Sequence, residues 1–131
     1  MLLSTLREQF LQANLELIRG GRVPSTFGNV SAVDRAKGRL AIKPSGVPYE
    51  ALIPAQVVIS DLAGEIIDGT LRAPSDVPTH LEFPNIGGDA HTHSELATAW
   101  AQAETPILCL GTAHTDCFHG PIPVTEKLRA T

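Results

Sequence analysis

Residues 89–94 read Asp-Ala-His-Thr-His-Ser and join a segment of strand character to a segment of helix character. The residues before them are small and apolar, which favours a strand, and Ser94 can cap a helix predicted over residues 95–103. On an extended strand, residues two positions apart project from the same face of the sheet. We therefore expect His91 and His93 to reach one metal ion from a rigid strand end.

A candidate acidic residue lies on each side of this histidine pair in the sequence. Asp76 lies between Pro74 and Pro78, where it can supply a hard oxygen ligand or, alternatively, the N-cap of a short helix. Asp116 follows His114 by two residues in a predicted strand or strand end, so the two side chains can share a face and serve in proton transfer. A solvated turn carboxylate is the alternative interpretation of Asp116.

Two short turns combine small residues with hydrogen-bond donors. Residues 27–31 read Phe-Gly-Asn-Val-Ser, and residues 43–46 read Lys-Pro-Ser-Gly. Backbone amides and side chains in such turns can surround an anion such as phosphate. The same residue types also form ordinary turns, so this alternative stays open. Lys43 beside Ser45 and Gly46 favours an oxyanion site.

Composition limits the class of protein. The chain has 131 residues, of which 43% are hydrophobic and 18% charged, which is typical of one folded domain. A formal net charge of −4 without a basic run argues against nucleic-acid and membrane partners. Two cysteines are too few for a disulfide framework, and no signal peptide or apolar run of transmembrane length occurs. These features predict a cytoplasmic enzyme or binding protein.

The first element predicted from the apolar pattern is an amphipathic helix over residues 5–19. Thr5 and Glu8 are spaced as a capping box for this helix, and Gly20 follows its end. Its expected apolar face consists of Leu6, Phe10, Ala13 and Leu17.

Short strands separated by Gly, Pro and Asp turn signals dominate the rest of the chain. Residues 61–64 read as a hairpin loop, and a charged helix is expected to start near residue 125. Adjacent hairpin strands with helices at either end predict an α/β fold with a mostly antiparallel central sheet, layered as α/β/α. Besides the histidine strand, the predicted strands cover residues 26–32, 39–43, 56–60, 65–68 and 106–110.

Seven short motifs follow one another along the chain: Gly28-Asn-Val-Ser31, Lys43-Pro-Ser-Gly46, Pro74-Ser-Asp-Val-Pro-Thr-His80, Phe83-Pro-Asn-Ile-Gly-Gly88, His91-Thr-His-Ser94, Ala99-Trp-Ala-Gln102 and Gly111-Thr-Ala-His-Thr-Asp116. In this order they resemble the L-ribulose-5-phosphate 4-epimerase branch of the class II aldolase and adducin-type family. The resemblance runs along essentially the whole chain but covers only a little over half of a typical member. We therefore interpret residues 1–131 as the N-terminal portion of a single class II aldolase-like domain whose C-terminal part is missing.

The resemblance implies a role for each matching residue. Asp76, His91 and His93 are implied to bind one zinc ion per subunit, together with a further histidine from the C-terminal region. Thr112 is implied to lie near the substrate, and Asp116 to be a catalytic acid/base at a neighbouring subunit's site in a homotetramer. The implied phosphate-binding residues are Gly28, Asn29, Lys43, Ser45, Gly46 and Ser75.

The family's reaction suits these residue types. Zinc bound to the carbonyl and hydroxyl oxygens of a phosphorylated pentulose stabilises an enediolate, so that retro-aldol cleavage and re-addition invert C4. Asp at position 76 resembles the epimerases, because related fuculose-phosphate aldolases have Glu there. Pro74 replaces a second phosphate-binding serine, and the histidine and tyrosine of the C-terminal region are expected to be missing. Because the C-terminal histidine is expected to be missing, we expect this chain to bind zinc weakly. The alternative functions are a class II sugar-phosphate aldolase of the fuculose-phosphate type and a non-catalytic remnant.

Overall fold

A computed structural model describes residues 3–23, 26–82 and 87–126. The chain divides into two compact units, Met1–His93 and Ser94–Thr131. The first unit contains the sheet and two helices, and the second contains two further helices. The interpretation of residues 1–131 as the N-terminal portion of one domain stays a prediction.

The sheet of the first unit has five strands in the order β4-β3-β2-β1-β5, and every neighbouring pair is antiparallel. The predicted hairpin is confirmed, since β3 and β4 pair across the turn after Asp61. The predicted α/β fold with an antiparallel sheet is therefore confirmed. The strands are β1 Asn29–Asp34, β2 Arg39–Ile42, β3 Val58–Asp61, β4 Ile66–Asp68 and β5 Gly88–His91.

One helix of the first unit packs on each face of the sheet, which gives the expected three layers there. Helix α1, Ser4–Arg19, covers one face, where Phe10 packs with Ala41 and Ile59. The short helix α2, Val77–Leu81, covers the other face, where Val77 packs with Leu40, Ile42 and Val58. Alternate residues of β2 and β3 thus enter opposite cores, as the period of two in a strand requires.

The buried face of α1 is shifted from the predicted one and includes two polar residues. The helix begins at Ser4, so Thr5 lies inside the helix and the predicted capping box is wrong. The Asn14 side chain donates to the Phe10 carbonyl at 2.9 Å and accepts from the Val30 N–H at 3.1 Å, which fixes α1 to β1. Hydrophobic spacing alone misses a polar residue whose partner lies in another element. The buried residues of α1 are Arg7, Phe10, Leu11 and Asn14.

The second unit confirms one predicted helix and corrects a predicted strand. Helix α3, Glu95–Gln102, is capped by Ser94, whose hydroxyl oxygen accepts from the Ala97 N–H at 3.4 Å. The expected strand over residues 106–110 is wrong, because its pairing in the described residues is a single bridge between Ile107 and Ile122. Prolines 106, 121 and 123 flank this bridge and provide no N–H to extend it.

The remaining helix of the second unit is α4, Thr112–Cys117. Most of the charged helix expected from residue 125 lies outside the described residues. None of the helices in the described parts of the chain combines the length and the apolar character needed to cross a membrane.

Candidate metal and anion site

The candidate site lies at the polar side of the sheet face that α2 covers. Asn29 on β1 is the direct partner of His91 on β5, and Ser31 is the partner of Asp89. Directly opposed residues project from the same face, so these four polar side chains are neighbours. Ser31 is also opposite Ile42, which belongs to the core under α2. The face is therefore apolar along β2 and polar along β5 and at the start of β1.

Asp76 connects these strands to α2. It occupies the N-cap position of α2, as the alternative interpretation expects, but its side chain makes no capping hydrogen bond. Its Oδ2 instead accepts from Asn29 Nδ2 at 2.9 Å and lies 2.6 Å from His91 Nδ1. The Nε2 of His80 lies 3.5 Å from the same oxygen. The carboxylate is thus directed at the sheet.

These neighbours keep the Asp76 carboxyl ionised. The contact with His80 is the largest influence that lowers its pKa, followed by the hydrogen bonds from His91 and Asn29. Partial burial acts in the opposite direction but is outweighed, so the pKa of Asp76 lies well below its ordinary value. A permanently anionic oxygen pair is a suitable ligand for a divalent cation.

His80 is the residue of this cluster that the sequence analysis did not select. Its side chain is only 1% exposed, and its Nδ1 lies 2.9 Å from Ser31 Oγ and 3.2 Å from Asp89 Oδ2. Ligand atoms of Asp76, His80 and His91 all lie within 4.8 Å of one another. The spacing of four residues between Asp76 and His80 on a helix was the available signal, because such residues share a helix face.

The residues present fit a metal ion. Asp76 Oδ1 and His80 Nε2 are buried and have no hydrogen-bond partner among the described residues. Such buried atoms normally have partners, and leaving one unpaired costs about 1–3 kcal/mol. Carboxylate oxygen and imidazole nitrogen are common zinc ligands, and the site offers both in Asp76 and His91.

His93 lies beside this cluster but outside it. Strand β5 ends at His91, so the expectation that both histidines belong to the strand is correct only for His91. The two imidazole rings nevertheless lie close together, with centroids 4.6 Å apart. The His93 ring also lies 5.3 Å from the ring of Phe27. The side chain is exposed and borders the cavity described next.

The cluster opens into a cavity of about 410 Å³ that both predicted anion turns line. Residue Lys43 is buried, and this burial lowers the pKa of its ammonium group. Within the described residues, no carboxylate forms an ion pair with it. The cavity thus combines a cationic end with the acidic and histidine cluster. Its lining includes Gly28, Asn29, Lys43, Ser45, Gly46, Ser75, Asp76, His91 and His93.

Gly28 makes the closest backbone approach in this cavity. Its φ is +72°, and a Cβ atom built on it would lie 2.6 Å from the His91 carbonyl oxygen. A side chain would therefore meet both backbone strain and a steric clash. Residues 29–31 of the predicted turn belong to β1, and the segment just before the strand needs glycine to bring β1 and the end of β5 together.

Two predicted site residues lie in the second unit. Thr112 and Asp116 belong to α4, so the expectation of a strand at Asp116 is wrong. Residues two apart project from different sides of a helix, so the shared face expected for His114 and Asp116 is also wrong. His114 Nε2 instead donates to the Gly120 carbonyl at 2.8 Å, which closes the loop after α4.

Comparisons with known proteins agree with this fold. The family model "Class II Aldolase and Adducin N-terminal domain" matches residues 8–131. An L-fuculose 1-phosphate aldolase structure aligns with a TM-score of 0.75 at 26% identity, covering 83% of this chain and 53% of that protein. The L-fuculose-1-phosphate aldolase of Thermus thermophilus aligns with a TM-score of 0.64 at 26% identity, covering 88% and 60%.

A third structure of similar fold is YgbL from Klebsiella pneumoniae, described as a candidate aldolase, epimerase or decarboxylase. It aligns with a TM-score of 0.66 at 27% identity, covering 80% of this chain and 53% of that protein. The chain thus spans a little over half the length of the three solved proteins.

Proposed function

The chain belongs to the class II aldolase and adducin family, and we propose on that premise that it carries the metal- and phosphate-binding part of an L-ribulose-5-phosphate 4-epimerase. The observation that carries the proposal is one cavity in which an ionised carboxylate and two histidines adjoin a buried lysine. A phosphorylated pentulose needs both features, because its phosphate and its reacting carbonyl lie at different ends. Epimerisation of L-ribulose 5-phosphate to D-xylulose 5-phosphate is the proposed reaction.

Asp76, His91 and His93 are the proposed zinc ligands. When bound, zinc supplies Lewis-acid chemistry that polarises the sugar's carbonyl oxygen. Asn29 holds the Asp76 carboxylate through its hydrogen bond of 2.9 Å, and buried His80 contacts it from the helix side. We propose that Asn29 and His80 orient this ligand rather than bind the metal.

The phosphate is proposed to bind among the two glycine-containing turns and Ser75. Lys43 supplies a cation without a carboxylate partner in the described residues, and the Ser45 and Ser75 hydroxyl groups can donate to phosphate oxygens. Pro74 lines the same cavity and has no hydroxyl, so it contributes shape alone. Thr112 as a substrate neighbour and Asp116 as the catalytic acid/base stay predictions from the family resemblance, as do the homotetramer and the cytoplasmic location.

A fuculose-phosphate type of aldolase is the second candidate. Two of the solved proteins of similar fold are L-fuculose 1-phosphate aldolases, which favours net cleavage of a sugar phosphate. The residue at position 76 favours the epimerase, because the resemblance gives Asp to the epimerases and Glu to the fuculose-phosphate aldolases at this place. In this chain the Asp76 Oδ2 is held by Asn29 and His91.

Product analysis tests the proposal. The purified chain is incubated with zinc and L-ribulose 5-phosphate, and the sugars are separated and identified by NMR spectroscopy. We expect D-xylulose 5-phosphate, and we expect Asp76→Asn to abolish its formation. Net formation of glycolaldehyde phosphate would favour the aldolase instead. If neither product forms, the catalytic proposal fails for this chain, and the non-catalytic alternative replaces it.

A further inference from the structure

We propose that Tyr49 is a positioning residue for the phosphate end of the cavity, holding the turn at Gly28 with its hydroxyl group and the ammonium group of Lys43 with its ring. The inference rests on the proposed function, in which this cavity receives the substrate's phosphate. Tyr49 itself does not line the cavity, so its action on phosphate passes through these two residues.

The hydroxyl group of Tyr49 connects two distant segments of the chain. Tyr49 is fully buried at the start of a 3-10 turn, Tyr49–Ala51. Its hydroxyl donates to the Gly28 carbonyl at 2.8 Å and lies 3.2 Å from the Phe27 carbonyl oxygen. Gly28 and Phe27 both line the cavity. The phenol thereby contacts the carbonyl groups of the two residues directly before β1.

This anchoring matters because the turn has an unusual backbone. Gly28 adopts a positive φ and packs closely against the His91 carbonyl oxygen. A glycine with so much conformational freedom has to be held in place by its neighbours. The hydroxyl of Tyr49 supplies such a contact on the Gly28 carbonyl, and Asn29 follows directly in the chain. The position of the Asn29 side chain in the cavity thus depends on this anchor.

The ring of Tyr49 acts on a different group. The Nζ of Lys43 lies 4.6 Å from the ring centroid, which is the geometry of a cation–π contact. Its hydrogen bond to the Thr26 carbonyl is long, at 3.5 Å. A ring face attracts the ammonium group without using up its N–H donors, since it accepts no conventional hydrogen bond. Lys43 is therefore held at the cavity with donors free for an anion.

Because the hydroxyl and the ring serve different residues, substitutions can separate their effects. Tyr49→Phe removes the anchor of the turn and keeps the ring beside Lys43. Tyr49→Leu removes both contacts. Ile59→Val is the matched control, because Ile59 is fully buried in the core of the same unit and does not line the cavity.

The test is an NMR titration of the whole chain with inorganic phosphate, with unfolding midpoints measured in parallel. We expect Tyr49→Phe to weaken phosphate affinity about three- to tenfold and Tyr49→Leu to weaken it more than tenfold. We expect Ile59→Val to lower the unfolding midpoint without changing affinity. In a Lys43→Met background, Tyr49→Leu should weaken binding no more than Tyr49→Phe, because the ring then has no ammonium group to hold.

The outcomes distinguish this inference from the proposed function. If the wild-type chain does not bind phosphate, the proposed phosphate site fails and the role of Tyr49 fails with it. If the wild-type chain binds phosphate and both Tyr49 variants bind equally well, only the positioning role is overturned. A loss of affinity in Ile59→Val as large as in Tyr49→Phe would overturn it as well, because general stability would then explain the effect.

Discussion

The Nδ1 of His91 lies 2.6 Å from the Oδ2 of Asp76, so the last residue of β5 contacts the residue that precedes α2. The contact joins β5 to the start of α2, and both residues line one cavity. Carboxylate oxygen and imidazole nitrogen are both zinc ligands, so this pair can share a cation. The chemistry of the site depends on this pair.

Removal of the Asp76 charge should reduce zinc affinity. We expect Asp76→Asn to weaken zinc binding by a factor of ten or more, because an amide oxygen is a poorer ligand than a carboxylate. Zinc content after dialysis, measured by elemental analysis, checks this. Asp34→Asn is the control, since Asp34 ends β1, accepts a hydrogen bond from Lys37 and does not line the cavity. Equal zinc content in Asp76→Asn and wild type would refute the proposed ligand.

His80 and His93 should respond differently to substitution. We expect His93→Gln to change the visible absorption spectrum of the cobalt-loaded chain, because a proposed ligand is lost. His80→Gln should leave that spectrum similar but lower the thermal unfolding midpoint without metal, because the ring is buried and bonded to Ser31. If His80→Gln changes the cobalt spectrum and His93→Gln does not, the metal belongs to the cluster of Asp76, His80 and His91.

Gly28 should tolerate no side chain. We expect Gly28→Ala to destabilise the chain by more than about 2 kcal/mol, because a positive φ and a clash with the His91 carbonyl add together. Gly38→Ala is the matched control, with a φ of +61° and no atom within 4 Å of the added methyl group. Urea unfolding measures both. Equal losses in the two variants would mean that the close approach at Gly28 has no energetic effect.

Tyr49 should titrate at unusually high pH. Burial raises the pKa of its phenol to about 12, and because it is the chain's single tyrosine, ultraviolet absorbance of tyrosinate reports this group alone. A raised pKa in the folded state means that the neutral phenol contributes stability below its ordinary pKa of about 10. That contribution is lost as the pH rises towards about 12. Titration near the ordinary value in the folded chain would contradict the burial of Tyr49.

The hydrogen bond from the Val30 N–H to the Asn14 side chain should stabilise the packing of α1 on β1. We expect Asn14→Ala to destabilise folding by about 1–3 kcal/mol, because the Val30 N–H loses its partner. Chemical denaturation measures the loss, and Gln12→Ala serves as the control, since Gln12 is exposed and donates to Glu8 in the same helix. If both variants lose a similar free energy of unfolding, the hydrogen bond between Asn14 and Val30 contributes nothing beyond the change in helix propensity.

Local patterns in the sequence were sufficient to predict most of the first unit. Short runs between turn signals predicted strands at β2 and β3, and the turn after Asp61 predicted the hairpin, whereas the two faces of the sheet were not predicted. The strands and the hairpin depend on neighbours in the chain, which a sequence displays directly. The family resemblance, and no local pattern, placed Gly28 and Ser75 in one pocket; both line the same cavity, and their binding of phosphate stays a prediction.

The features that sequence analysis missed depend on contacts between distant residues. His80 lies beside Ser31 and Asp89 because β1 pairs with β5, a register that no local pattern displays. Arg7 is buried on α1 because its partners lie near residues 54–57 and at Asp68. Asp116 lies in a helix although its segment resembled a strand end, since short polar segments satisfy both patterns.

The close approach of Gly28 to β5 also limits which residues of the cavity lining can change during evolution. Variation at that position would separate the strand ends that carry Asn29 and His91, so selection for a larger or differently charged substrate has little freedom there. Ser45 and Ser75 line the same space with exposed side chains. Natural drift or laboratory evolution that broadens substrate range should therefore accumulate at these two serines, while the glycine stays invariant.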